Sequence, residues 1–238
     1  MSWFTDLYRS AVGKKAVMAI TGIILFGFVL LHLIGNLKLY EAGEYMQYVD
    51  GAYKPMRYLD AYGFFLRHVG EPLVPAYTLL WIFRSVLLIA VALHIWAAWQ
   101  VTKMSQAARP RDYVSRPKIH TTYASRTMRW GGVILLLFII YHLLHFTTGT
   151  VHPDFQEGSV YHNVVTGFSV WYVSLFYIVA QTALGFHLYH GLWSMFQSLG
   201  WNHPRFNTWR RYFAVAFAWI ITLGNISFPV AVLTGLVR

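Results

Sequence analysis

Four histidines sit inside four separate apolar stretches of this chain: His32, His94, His142 and His187. An imidazole in an apolar segment costs free energy unless both ring nitrogens find partners, so each needs a hydrogen-bond acceptor, a proton path or a metal. Neutral imidazole is the commonest protein metal ligand, and its second nitrogen is then held by an acceptor nearby. One isolated histidine would more often bond a neighbouring helix. Four of them, if they fall at matched depths, point to metal centres held between helices.

The segments that carry these residues are long, apolar and do not alternate. The 238 residues are 57% hydrophobic and 12% charged, against about 25% charged in an ordinary soluble domain. Helices satisfy their own backbone inside a bilayer, and runs of this length span one. The fold class expected is all-α: one transmembrane domain over 1–238, with five spans at roughly 16–37, 77–101, 130–148, 168–196 and 212–236. Trp81, Trp130, Trp171, Trp209 and Tyr212 lie near span ends, where interfacial aromatics gather. Between spans one and two, the stretch YLDAYGFFLRHVGEP reads as an interfacial helix, and Pro72 and Pro75 punctuate the approach to span two. No repeat or low-complexity segment is evident. A polar amphipathic start leads into a full-length span without a small-residue cleavage site, so no cleavable signal peptide is expected.

Cysteine is absent. That excludes thiolate-bound iron–sulfur clusters, thioether-linked haem and disulfides within this chain. Electrons moving through it must come from another subunit.

Charge orients the spans. The N-terminal segment carries Arg9, Lys14 and Lys15. The second loop carries Lys103, Arg109, Arg111, Arg116, Lys118, Arg126 and Arg129 against Asp112, and the fourth carries Arg205, Arg210 and Arg211. These alternate segments hold 13 of 19 basic residues, so the positive-inside rule predicts a cytoplasmic N-terminus and an outer C-terminus. The net charge of +10 then faces mostly the cytoplasm, where it also suits an acidic partner or anionic lipid.

With that orientation the histidines sort by depth. His32 and His142 come late in outward spans, and His94 and His187 late in inward ones. An outer and an inner pair result, each drawn from two helices, as bis-imidazole ligation of two stacked b-type haems requires. His145 and His190 follow His142 and His187 by three residues and share their helix faces. Depth leaves both alternatives open, His145 matching His32 slightly better. Gly22, Gly27 and Gly35 in span one, and Gly185 and Gly191 in span four, allow close approach of a macrocycle or a helix. Outer-side groups able to titrate are His68, Glu71 and Glu157; Arg84 lies within span two, and Arg126 and Arg129 flank span three.

Over nearly its whole length the chain resembles the bacterial di-haem cytochrome b subunit of succinate:quinone oxidoreductases, the membrane anchor of complex II. The likeness rests on VGKKAVMAITGIILFGFVLLHLIGN, with a His-Leu-x-x-Asn turn at His32 and Asn36, and on ASRTMRWGGVILLLFIIYHLLHF, with His142 thirteen residues after Arg129. It continues in ALGFHLYHGLWSMFQSLGW, where Phe186-His187 precedes Gly191-Leu192-Trp193, and more weakly in VALHIWAAWQ. The resemblance implies an outer haem held by His32 and His142 and an inner haem held by His94 and His187. His145 and His190 then stand behind the ligands. It further implies a flavoprotein (FAD) subunit and an iron–sulfur subunit on the cytoplasmic face, menaquinone as substrate, residence in the bacterial inner membrane, and work in either the succinate-oxidising or the fumarate-reducing direction. Two other readings share parts of the pattern. A cytochrome b anchor of a hydrogenase or formate dehydrogenase would copurify with nickel or molybdenum. A haem-free proton-coupled transporter would carry buried Asp or Glu, and the spans contain none.

Overall fold

The structure is a computed structural model that describes residues 6, 8–49, 51–108, 123–201 and 203–238, with backbone alone at 123–127. Most of Arg126 and the loop residues Arg109, Arg111, Asp112, Arg116 and Lys118 therefore lie outside the described side chains. Among the described residues seven α-helices carry the architecture: α1 Ala11–Asn36, α2 Tyr58–His68, α3 Thr78–Ala107, α4 Tyr123–Phe146, α5 Val160–Ser169, α6 Trp171–Ser198 and α7 Pro204–Leu233. A 3-10 turn, Leu37–Tyr40, closes α1, and a hairpin of β1 Glu44–Val49 with β2 Ala52–Arg57 follows it.

Helix ends follow local chemistry. Ser10 caps α1 by accepting the Gly13 N–H at 3.0 Å. His203 does the same for Arg205 at the start of α7, where Pro204 occupies the first turn. α3 starts after Tyr77, which adopts φ 66° at the end of the Pro72–Pro75 turn. The four helices α1, α3, α4 and α7 contain stretches long and apolar enough to cross a bilayer. The pair α5–α6 supplies a fifth if counted as one span, and it bends by 100° at Val170. The buried Ser174 hydroxyl fastens that corner by donating to the Phe168 carbonyl at 2.6 Å. In α3 only 6% of the apolar window is buried inside the protein, so its apolar side chains face lipid rather than a core.

The bundle is organised around α6. It packs on α7, α4 and α1, while α3 packs on α1. The core runs mainly between α6 and α7, through Val173, Tyr177, Ala180, Leu192, Ala214 and Ile221. Gly185 lets α7 approach so closely that a methyl group there would strike Thr222. Gly35 does the same for Tyr62 of α2.

One end of the bundle is capped, and the other carries the basic segments. The cap consists of the hairpin, α2, α5 and the ends of α1 and α7. Tyr40 donates to Ser227 at 2.7 Å, and the Tyr161 hydroxyl donates to the Arg238 carbonyl at 2.8 Å. Asp60 on α2 accepts the Tyr161 N–H at 2.8 Å, satisfying the first turn of α5.

The structure and the sequence-based expectation differ in three places. The interfacial helix expected from 58 ends at His68 rather than running to the proline turn. The segment before it forms a hairpin turning at Gly51, φ 84°; the Asp50-Gly51 pair is a turn signal in the sequence. Span four begins at Trp171, because the apolar residues just before it belong to the crossing helix α5.

Burial raises the Asp60 carboxyl above its ordinary range, against the lowering effect of the Tyr161 and Val160 amides and of Arg57 and Arg67. The folded protein therefore holds this proton more tightly than the unfolded chain. Stability tied to Asp60 falls as pH rises from the ordinary carboxylate range through the raised value. Asp60→Asn is expected to flatten that slope while keeping an acceptor for Tyr161. Asp60→Ala is expected to cost about 1 kcal/mol, as loss of a helix cap does. Thermal unfolding in detergent across acidic to neutral pH measures both.

Candidate functional site

The four histidines occupy matched positions on their helices. His32 and His142 each lie four residues before the ends of α1 and α4, about 6 Å from the capped end. His94 and His187 each lie sixteen residues into α3 and α6, about 24 Å along the axis from that end. The structure brings His32 and His142 together with ring centroids 5.9 Å apart and planes at 90°. It brings His94 and His187 together at 6.3 Å and 58°. Both pairs reach across the seam between α1–α3 and α4–α6.

These separations can be tested against a shared metal. Imidazole nitrogen binds first-row metals at about 2.0–2.1 Å, and the nitrogen lies about 1.1 Å from its ring centre, so two imidazoles trans on one ion have centroids about 6.3 Å apart. Both pairs meet that value within a few tenths of an ångström. Among the described residues no group of three or more His, Asp or Glu converges as a metal cage. Two nitrogen donors on one axis are what a planar macrocycle with four nitrogens of its own leaves to the protein. The donor set and its spacing fit haem.

Each pair has one tethered member. His94 Nδ1 lies 3.1 Å from the Thr21 hydroxyl of α1. Thr21 spends its only proton on the Val17 carbonyl at 2.8 Å, so its oxygen accepts from His94. That places the proton on Nδ1 and leaves Nε2 bare, able to bind a metal. Gly22, the next residue, leaves room for the His94 ring, which would stand 3.5 Å from a methyl group there. His187 Nδ1 is buried with no hydrogen-bond partner among the described residues.

At the outer pair the Tyr177 hydroxyl of α6 lies 3.3 Å from His142 Nδ1 and 3.0 Å from His145 Nδ1. Aromatic rings one turn earlier flank both ligand candidates: Phe28 stacks on His32 at 5.2 Å, and Phe138 lies 5.7 Å from His142. The corresponding positions before His94 and His187 are Ala90 and Ala183.

The two remaining span histidines sit differently. His145 has no exposed surface. It is enclosed by Tyr141, Phe146, Tyr177 and His152, the last stacked on it at 4.8 Å and 29°. Those two rings are too close and too parallel to share a metal along one axis. His190 lines a cavity of about 210 Å³ with Tyr189, Trp193 and Arg211, towards the basic end.

Other residues singled out from the sequence lie apart from the pairs. His68 stacks on Phe64 at 3.8 Å, and its Nδ1 lies 2.9 Å from the Phe64 carbonyl. Glu71, Glu157 and Arg129 are exposed. Arg84 sits over the Trp81 ring at 5.1 Å. Thr21, Tyr177 and His152 were not anticipated. Thr21 and Tyr177 are 73 and 35 residues from the histidines they touch, so no local spacing connects them.

Comparison with the curated proteins and with the solved structures yields no match. A family profile does match. It covers residues 102–226, which include His142 and His187 and more than half of the chain. The family is described as the succinate dehydrogenase/fumarate reductase transmembrane subunit, and this multi-pass membrane chain belongs to it.

Proposed function

We propose that this chain is the di-haem membrane anchor of a succinate:quinone oxidoreductase, linking an iron–sulfur subunit to menaquinone. Membership of the family gives the coarser statement: a membrane-anchoring subunit of succinate dehydrogenase or fumarate reductase. The observation that carries the finer one is the pair of facing imidazoles repeated at two depths, 5.9 and 6.3 Å apart. His32 and His142 would hold the outer haem b, and His94 and His187 the inner one. When bound, the two haems would supply one-electron redox chemistry.

The chain's own residues prepare those sites. Thr21 fixes the tautomer and ring angle of His94. Phe28 and Phe138 keep the rings of His32 and His142 from turning and wall the outer pair with apolar surface. The apolar spans exclude water and carry no Asp or Glu, so the imidazoles stay neutral and free to ligate.

Charge supports the orientation. The basic segments support a cytoplasmic position for the N-terminus and for the segments at 101–129 and 199–211. There they meet the iron–sulfur subunit, which with the FAD subunit provides the succinate or fumarate chemistry that this cysteine-free chain lacks. The capped end then faces outward, beside the outer pair, and the C-terminus lies outside. The di-haem resemblance supports menaquinone as the substrate and the bacterial inner membrane as the location. Both reaction directions use the same anchor.

Replacing His32 or His142 with Leu is expected to remove one haem from the purified complex, and replacing His94 or His187 the other. His145→Leu is expected to retain both. Haem quantitation with reduced-minus-oxidised spectra measures this, and loss of a haem in His145→Leu would move the outer ligand to that residue. Thr21→Val is expected to weaken haem retention at the inner site about 10–100-fold, the usual effect of removing such a partner, with Thr21→Ser restoring it. Haem remaining after competition with apo-myoglobin reads the difference.

A further inference from the structure

Tyr177 has one hydroxyl proton and two imidazole neighbours. Its oxygen lies 3.0 Å from His145 Nδ1 and 3.3 Å from His142 Nδ1, and the three groups come from only two helices, α4 and α6. With one proton to share between the two contacts, the phenol donates to one ring and accepts from the other. The two imidazoles are thus forced into opposite tautomers. One carries its proton on Nδ1 and presents a bare Nε2; the other carries its proton on Nε2.

The surroundings decide which is which. His142 pairs with His32 across the seam, with ring centroids 5.9 Å apart, close to the separation two imidazoles on one metal would have. His145 faces His152 in a stack, with Nε2 packed beside Gly167 and without a hydrogen-bond partner among the described residues. The ring with a metal-facing neighbour must present a bare Nε2, so His142 donates from Nδ1 to the Tyr177 oxygen. Tyr177 then donates to His145 Nδ1.

Resting on the di-haem reading, we infer that Tyr177 is a positioning residue for the outer haem. It locks His142 in its ligating tautomer, and His145 acts on that haem only through Tyr177. A ligand imidazole that donates from Nδ1 is a stronger electron donor, which favours ferric over ferrous iron. A hydroxyl that itself donates is also a better acceptor, so His145 strengthens the bond from His142. The inner pair has a different arrangement, with Thr21 anchored to its own helix backbone. The outer site is therefore tuned by a side-chain chain of three, and the inner site by the Thr21 hydroxyl together with the Met18 backbone.

The test is a redox titration of the purified complex, following both haems optically and by electron paramagnetic resonance. Tyr177→Phe is expected to raise the midpoint potential of the outer haem and change its low-spin ferric signal, leaving the inner haem as in the wild type. His145→Leu is expected to raise the outer potential by a smaller amount. In the double variant the outer potential should equal that of Tyr177→Phe alone. An unchanged outer haem in Tyr177→Phe overturns the inference, as does a further shift on adding His145→Leu to it. If Tyr177→Phe fails to retain the outer haem, the His145→Leu variant carries the test, and an unchanged outer potential there overturns it. The haem content of the wild-type complex separates the two levels: fewer than two haems per chain defeats the di-haem reading itself, whatever the variants do.

Discussion

A neutral imidazole in hydrocarbon has two nitrogens to satisfy, and most of this structure answers that requirement. An unmatched polar atom there costs several kcal/mol, so each span histidine calls for something on each side of its ring, which His187 Nδ1 and His145 Nε2 lack among the described residues. At His94 one nitrogen is held by Thr21, and the ring lies 6.3 Å from that of His187. At His142 one nitrogen meets Tyr177 while the ring faces His32. Tether on one side and partner ring on the other is the arrangement a buried metal ligand needs.

That requirement accounts for the central role of α6. Tyr177 and His187 are ten residues apart on it, about 15 Å along the axis, so a single rigid helix serves both pairs. α6 lies close to α7 where Gly185 meets Thr222. Its start is set by the sharp turn at Val170, which Ser174 locks. A slip of one residue at that turn would rotate α6 by about 100° and lose both Tyr177 and His187 from the seam. The cap formed by α2, α5 and the hairpin fixes the corner from above, through Asp60 and the first turn of α5.

Legibility from the sequence divides by range. Span existence was legible because mean apolarity over some twenty residues is a one-dimensional property. The register of the histidines was legible because positive-inside charge gives each span a direction, and rise per residue then gives depth. Tyr177 and Thr21 were not legible: each reaches a histidine on another helix, and helix rotation cannot be read from residues that are apolar on every side. The same all-round apolarity left His142 and His145 equivalent on one face. Packing separates them, since His145 is enclosed by aromatic rings and His152 while His142 looks across the seam. The break at Val170 is hidden in the sequence because Phe168 and Val170 lead without a Gly or Pro into the apolar residues of α6, which bends from α5 by 100°. The hairpin has a local signal, the Asp50-Gly51 pair, with Gly51 at positive φ in the turn.

The most direct measurement is electron paramagnetic resonance of the oxidised wild-type complex, combined with haem quantitation per chain. Two haems b per chain, giving two distinct low-spin ferric signals of bis-imidazole type, are the predicted result. A single low-spin signal, a high-spin signal from an iron with an open position, or fewer than two haems in a fully loaded preparation would contradict it.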